Sequence, residues 1–168
     1  MRRRLNPPFA FVELGVYEAF VRSIEIDKPE NGAWINVLPP LKQEEFSELS
    51  DKLDIPIDFL TDSLDIDERS RFEEEDNVKL IVIKTPTENN SFNESDAFYI
   101  TIPICIILTH NQVVTVNSFE NTAIKKFLNT YQNRNPDRRN MMVLKIFEKI
   151  VQNFMEHLKE INLRRNNV

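Results

Sequence analysis

Alternation of apolar and polar residues along the chain predicts a β-hairpin in its second half. Large apolar side chains occupy every second position of residues 97–108, which is typical of a strand. Pro103 indicates an edge position or a bulge there, because proline cannot donate to a strand ladder. His110 and Asn111 predict a tight turn in which Asn111 tolerates a positive φ, and residues 113–117 return as the partner strand.

Three other apolar stretches also predict strands, over residues 20–26, 33–38 and 78–84. A cluster of Pro, Asn and Gly at residues 28–32 predicts the turn between the first two. Residues 78–84 are β-branched and almost continuously apolar, which favours a strand covered on both faces. The polar residues 85–96 predict a mobile connection within one domain.

Apolar residues spaced three or four positions apart predict helices between these strands. A first helix over residues 41–53 follows two prolines and has an apolar face made of Phe46, Leu49 and Leu53. A second helix follows at once and extends to about residue 65, with Asp54 as its N-cap. A third helix covers residues 119–131.

The last helix has the most regular pattern in the sequence. It begins after an N-cap at Asn140 and runs for over twenty residues, roughly 35 Å. Its predicted core stripe is Leu144, Phe147, Val151, Phe154, Leu158 and Ile161. The elements together predict an α/β (α+β) fold with three layers, in which helices cover a mixed β-sheet and a long helix comes last. Residues 1–8 carry no pattern, and we expect them to be poorly ordered.

Composition narrows the classes of function that this domain can have. A chain of 168 residues suits one globular domain, and its net charge of −6 argues against nucleic acid as the main partner. One Cys and two His support neither a disulfide scaffold nor a zinc module. With only two glycines the chain cannot contain a Gly-rich nucleotide-binding loop. No apolar run approaches the roughly 18 residues of a membrane-spanning helix.

Charge is unevenly distributed along the sequence. Residues 44–76 hold 14 acidic and 3 basic side chains, whereas residues 125–168 hold 10 basic and 4 acidic ones. Carboxylates are hard oxygen ligands that suit Mg²⁺ or Ca²⁺, but an EF-hand needs a Gly that is missing here. The acidic segment therefore favours a weak site for hydrated Mg²⁺, and its alternative role is a solvated surface that keeps the protein soluble.

Little in the sequence indicates an enzyme. His110 falls in a predicted turn, His157 lies on the polar side of the last helix, and neither has a nucleophile at a recognisable spacing. Cys105 lies inside an apolar strand, where a thiol is normally a small buried hydrophobe. We therefore expect no catalytic activity.

Four segments, taken in order, resemble the cytosolic domain of CorA-type magnesium transporters. They are AWINV at 33–37, LTDSLD at 60–65, ERSRFE at 68–73 and VVTV at 113–116, and the resemblance extends over about residues 32–163. It implies a helix-covered mixed sheet that, in the family, leads to a stalk helix and two membrane helices joined by Gly-Met-Asn. Five copies then form a funnel-shaped channel. This sequence has no stalk, membrane helices or Gly-Met-Asn, so the resemblance implies one cytosolic domain over residues 1–168.

The resemblance also implies a role for two carboxylates. Asp62 matches the family's metal-binding aspartate, while the preceding position, often acidic in relatives, is Thr61 here. Glu148 falls where some relatives have another carboxylate. In the family, regulatory Mg²⁺ sits between neighbouring subunits and keeps the pore shut, with the main partner carboxylate on the stalk helix. An isolated domain is thus expected to bind Mg²⁺ weakly through an incomplete site.

These observations predict the cytosolic regulatory domain of a CorA-like channel for Mg²⁺, with Co²⁺ as another possible cargo. Its expected partners are other copies of itself, as a homopentamer, and its own transmembrane domain, on the cytoplasmic side of an inner or plasma membrane. The alternative prediction is a soluble, self-associating module in which the acidic half of one copy docks on the basic last helix of another, with no metal involved.

Overall fold

A computed structural model of the protein describes residues 11–14, 34–37, 43–89, 97–117, 121–131 and 139–166. Its strands are β1 (Phe11–Leu14), β2 (Trp34–Val37), β3 (Arg71–Glu75), β4 (Val78–Glu88), β5 (Tyr99–Leu108) and β6 (Val113–Asn117). Its helices are α1 (Gln43–Leu53), α2 (Ile57–Thr61), a 3₁₀ turn (Asp62–Leu64), α3 (Thr122–Tyr131) and α4 (Arg139–Asn166). The strand and turn predicted over residues 20–32 lie outside the described residues.

The six strands form one mixed sheet in the order β1-β2-β6-β5-β4-β3. Strands β1, β2 and β6 are parallel to one another, whereas β6, β5, β4 and β3 are successively antiparallel. Helices α1 and α2 cover one face and helices α3 and α4 cover the other. The predicted three-layer α/β architecture with a long last helix is therefore confirmed.

Alternation within β5 divides the apolar core between these two faces. Cys105 and Ile107 point to the α1 and α2 side, and Ile104 and Ile106 point to the α3 and α4 side. Pro103 pairs with Lys84 in a continuous ladder with β4, and β5 lies between β4 and β6 in the sheet. The predicted edge position or bulge at Pro103 is therefore wrong.

Strand β4 continues beyond its predicted end. It reaches Glu88, so Thr85 and Pro86 are buried strand residues rather than part of a mobile connection. Residues 90–96 of that predicted connection lie outside the part of the chain that the structure describes. The missed extension has a physical reason, because pairing with β5 satisfies the backbone of polar residues as well as that of apolar ones.

A left-handed residue separates the first two helices. Asp54 has a φ of 53°, and the Ile55 amide donates to the Ser50 carbonyl at 3.1 Å, which is the pattern of a helix C-terminus. The prediction of Asp54 as an N-cap is therefore wrong, and Pro56 precedes α2 without a side-chain cap. The prediction that Phe46, Leu49 and Leu53 form the buried face of α1 is confirmed.

Both strand hairpins are closed by two-residue turns, and the predicted tight turn at His110 and Asn111 is confirmed. Strands β3 and β4 are joined by Asp76 and Asn77, whose φ values of 48° and 65° fit the left-handed conformation of a tight hairpin turn. The β5–β6 turn instead closes with the Thr109 amide donating to the Gln112 carbonyl at 3.1 Å. Asn111 is absent from the residues with positive φ, so its expected left-handed conformation is wrong.

Helix α3 begins with a cap that the sequence pattern did not predict. The Asn121 side-chain oxygen accepts hydrogen bonds from the amides of Ala123 at 2.8 Å and Ile124 at 3.3 Å. Farther along the helix, Phe127 packs edge-on against Trp34 of β2, with ring centroids 4.9 Å apart. The cap and this aromatic pair fix α3 on the sheet.

Helix α4 packs on the sheet through a face that shares only Phe147 and Phe154 with the predicted stripe, and these two side chains are partly buried against the core. Its buried residues are Met142, Val143, Ile146, Ile150 and Asn153. The predicted core residues Leu144, Val151 and Leu158 are 57%, 60% and 50% exposed. The helix begins at Arg139, so Asn140 lies within its first turn and is not its N-cap. The helix therefore has two apolar faces, of which one contacts the sheet.

Candidate functional site

Asp62 begins the 3₁₀ turn that follows α2 at the acidic end of the domain. The turn is held by Ser63, which is buried and whose hydroxyl donates to the carbonyl of Leu60. Its end is closed by the amide of Asp65, which donates to the Asp62 carbonyl at 3.2 Å. The Asp62 side chain remains 37% exposed and therefore reaches solvent from a fixed backbone.

The Asp62 carboxylate is paired with an arginine from β3. Asp62 Oδ2 lies 2.6 Å from Nη2 of Arg71, which is the first residue of that strand. The same guanidinium contacts Glu73 Oε1 through Nε at 2.6 Å, and it contacts Glu68 through Nη1. Each of the three guanidinium nitrogens thus engages a different carboxylate.

Partial burial increases the strength of this network. The side chains of Arg71 and Glu68 are 23% and 20% exposed, so water screens their charges less than it would at an open surface. Burial by itself lowers the pKa of Arg71, but the hydrogen bond to Glu73 and the charge of Glu68 outweigh it and raise that pKa. Arg71 therefore stays protonated at any physiological pH.

The surface around this network is acidic with apolar patches. Exposed carboxylates include Asp65, Asp67, Glu74, Glu75 and Asp76. Among them lie the exposed apolar side chains Leu64, Ile66 and Phe72. Lys79 is within 4.0 Å of Glu74, but the segment keeps a large excess of negative charge. Such a surface attracts cations or basic partners.

The residues present are compatible with a weakly held hard cation at Asp62. Carboxylate oxygens are the ligands that Mg²⁺ prefers, and this ion usually keeps several waters while binding one or two carboxylates. Within the described ranges, no group of three or more His, Cys, Asp or Glu side chains is arranged to hold a metal ion. Asp62 could therefore hold a largely hydrated ion, provided that Arg71 gives way.

Glu148, the second predicted ligand, lies on α4 and far from Asp62 in the fold. Its Oε2 is 2.6 Å from Nζ of Lys145, one helical turn earlier. The hydrogen bond from Lys145, followed by the charge of that residue, lowers the pKa of Glu148. Because α4 and α2 cover opposite faces of the sheet, one chain does not bring these two carboxylates together.

Sequence patterns missed Arg71 as a site residue. Arg71 was noted only as part of the ERSRFE segment and was given no role. Its contact with Asp62 spans nine positions and depends on the course of β3, which the sequence pattern does not show. Its position two residues from Glu73 on one strand, and hence on the same face, was the available signal.

The other titratable candidates are structural. Cys105 is fully buried in β5, and burial raises its thiol pKa to about 12. His157 donates from Nδ1 to the Asn153 carbonyl at 2.8 Å and packs edge-on against Tyr99. Tyr99 in turn donates to Glu160 at 2.8 Å. These contacts attach the second half of α4 to the start of β5.

None of the helices in the described ranges is both long and apolar enough to cross a membrane.

Comparison with known proteins gives one family and a consistent fold. The sequence model of the family described as "CorA-like Mg2+ transporter protein" matches residues 30–168. A comparison with curated proteins gave no match.

Three solved structures share the fold. The soluble domain of CorA from Methanocaldococcus jannaschii gives a TM-score of 0.65 at 24% identity, covering 80% of this chain and 52% of that one. The complete CorA magnesium transporter from the same organism gives 0.62 at 25% identity, with coverages of 77% and 40%. The cytoplasmic domain of ZntB from Vibrio parahaemolyticus gives 0.60 at 16% identity, with coverages of 80% and 53%. The chain thus spans about half the length of these structures, or less.

Proposed function

The chain belongs to the family of CorA-like Mg²⁺ transporter proteins, and we propose that it is the cytosolic, Mg²⁺-sensing regulatory domain of a divalent-cation channel. The family match over residues 30–168 carries this proposal. In it the domain is not an enzyme, its partners are further copies of itself in a homopentamer and its own transmembrane domain, and it lies on the cytoplasmic side of the membrane.

The sensing role is assigned to Asp62. Its carboxylate is exposed on a short, well-anchored turn, and the surrounding segment is strongly acidic. A hydrated Mg²⁺ held by Asp62 is bound weakly, so its occupancy follows the concentration of free ion rather than saturating at trace levels. If Mg²⁺ binds one arrangement of the subunits more tightly than another, a rise in Mg²⁺ increases the population of the first arrangement. A weak site can regulate a gate in this way.

Titration of the 168-residue chain with MgCl₂ at constant ionic strength tests this assignment. We expect saturable shifts of the amide NMR signals of residues 61–66, with a dissociation constant on the order of millimolar. Asp62→Asn should abolish them. Asp58→Asn is the matched control, because Asp58 is exposed on α2 and pairs with no cation among the described residues. Shifts that survive in Asp62→Asn and disappear in Asp58→Asn contradict the assignment.

A second function is supported by the distribution of surface charge and apolar residues. Helix α4 exposes a row of apolar side chains and ends in Arg164 and Arg165, whereas β3 and the turn before it are acidic. A self-associating module could use these two surfaces without a metal. Sedimentation velocity separates the two functions: association that NaCl weakens and Mg²⁺ leaves unchanged at constant ionic strength favours the module.

A further inference from the structure

Arg71 already engages the Asp62 carboxylate, through the oxygen Oδ2. Its Nη2 is 2.6 Å from Asp62 Oδ2, which is the length of a strong charged hydrogen bond. Within the described ranges, the guanidinium also forms ion pairs with Glu68 and Glu73, both acidic. Among the described residues, the local charge is therefore three negative groups around one positive group.

The fold holds Arg71 in this position from several sides. Its backbone is the first residue of β3, paired with Val82 of β4, and its side chain is less than one quarter exposed. Nε and Nη1 are engaged by Glu73 and Glu68, so the guanidinium plane is fixed and Nη2 faces Asp62. A planar guanidinium held at three points is a preorganised cation, unlike a lysine on a flexible stem.

We propose that Arg71 is the built-in counter-ion of Asp62, and that a divalent cation gains this carboxylate only by displacing the guanidinium. This inference rests on the proposed function, because it concerns the regulation of the same carboxylate. A divalent cation bound to either oxygen of this carboxylate would lie within a few Å of the guanidinium, and the repulsion between the two positive charges opposes simultaneous binding. Arg71 therefore lowers the affinity for Mg²⁺ and sets the concentration at which Asp62 responds.

A comparison of two arginine variants tests the competition. Arg71→Gln removes the guanidinium from the network, while Arg69→Gln removes the same charge from an exposed residue two positions away. Both variants raise the net negative charge equally, so the difference between them isolates the direct contact. In the MgCl₂ titration we expect Arg71→Gln to bind on the order of tenfold more tightly than the unmodified chain. Arg69→Gln should change the dissociation constant by less than about twofold.

A measurement on the unmodified chain covers the case in which Arg71→Gln does not fold. The Nε–H signal of Arg71 reports its hydrogen bond to Glu73 directly. Displacement predicts that this signal moves or broadens in parallel with the amide signals of residues 61–66 as MgCl₂ is added. An Arg71 signal that stays constant through a saturable Asp62 response overturns the inference.

The outcomes separate this inference from the proposed function. If Mg²⁺ binds through Asp62 and Arg71→Gln binds no more tightly than Arg69→Gln, the counter-ion role is wrong and the sensing role stands. If neither the unmodified chain nor Arg71→Gln responds to Mg²⁺ at Asp62, the sensing role itself fails. If Arg71→Gln binds Mg²⁺ more tightly and Arg69→Gln does not, and if adding Asp62→Asn to Arg71→Gln abolishes the binding, both the counter-ion role and the sensing role are supported.

Discussion

Cys105 makes the stability of the domain sensitive to alkaline pH. Burial raises the pKa of its thiol to about 12, whereas a thiol in an unfolded chain titrates near pH 8.5. Between these values the unfolded chain releases a proton that the folded chain retains. The stabilising contribution is therefore complete below about pH 8.5 and is lost as the pH rises towards 12, by up to about 1.4 kcal/mol per pH unit.

Urea unfolding of the chain and of Cys105→Ala measures this contribution. Other groups titrate in the same range, so the relevant quantity is the difference between the two proteins. From pH 8.5 to 10.5, we expect the unmodified chain to lose about 2 kcal/mol more of its free energy of unfolding than the variant does. Equal losses would mean that the folded thiol ionises normally.

Local patterns located helices but not their ends, and they missed residues that are defined by tertiary contact. The second helix was predicted to extend to about residue 65, but α2 ends at Thr61 and Asp62 begins a separate 3₁₀ turn. The role of Asp54 was predicted wrongly, because Asp is common both as an N-cap before a helix and as a left-handed residue after one. The two roles differ in backbone conformation, which the sequence does not show. Arg71 was missed because no local period records an ion pair across the fold.

At the scale of elements, α4 illustrates how a regular pattern can indicate the wrong face. Leu144, Val151 and Leu158 recur every seven residues and Met142, Ile146 and Ile150 every four, so both rows lie at helical spacings, and the sheet covers the second row. A sequence with two apolar rows contains no information about which one the sheet covers.

Adjacent residues on α4 therefore give a direct test of its orientation. Ile150 is 1% exposed in the core and Val151 is 60% exposed. Ile150→Ala should lower the free energy of unfolding by about 2–5 kcal/mol, because it leaves a cavity against the sheet. Val151→Ala should change it by less than about 0.5 kcal/mol. Urea denaturation of both variants decides the matter, and a reversed order of the two losses would show that the predicted stripe is the buried one.

Strands were predictable only where they are buried. The interior strands β2, β4, β5 and β6 are rich in apolar residues, either alternating or almost continuous, and all four were predicted. Strand β3 reads Arg-Phe-Glu-Glu-Glu because it is an exposed edge paired on one side, so its pattern resembles a charged loop. Charged residues on such an edge discourage pairing with other chains, which explains the composition.

At the scale of the whole molecule, the layered architecture separates the two predicted metal ligands. The layers could be predicted from sequence, because each helix or strand with one apolar face must pack that face against another element. The order of the strands could not be predicted, because it depends on long-range pairing that local patterns do not contain. Because Asp62 lies on the side of α2 and Glu148 on α4, the whole sheet separates them.

This separation predicts that the two carboxylates act independently within one chain. Glu148→Gln should leave the Mg²⁺ dissociation constant at Asp62 unchanged within about twofold, because distant sites without shared partners are additive. The MgCl₂ titration of a monomeric sample, with Asp62→Asn as the reference for loss of binding, provides the measurement. A large effect of Glu148→Gln in a monomer would require the two residues to be neighbours, contrary to the fold.

The second half of α4 gives the domain mechanical leverage. Beyond Asn153 the helix extends about 20 Å with mostly exposed side chains, and Tyr99 and Glu160 connect it to the start of β5. A tilt of this segment of about 5° about Asn153 moves Asn166 by about 2 Å. Because His157, Glu160 and Arg164 contact Tyr99, such a tilt is coupled to the first residues of β5, so a small change at this end of the sheet becomes a larger displacement at the helix tip.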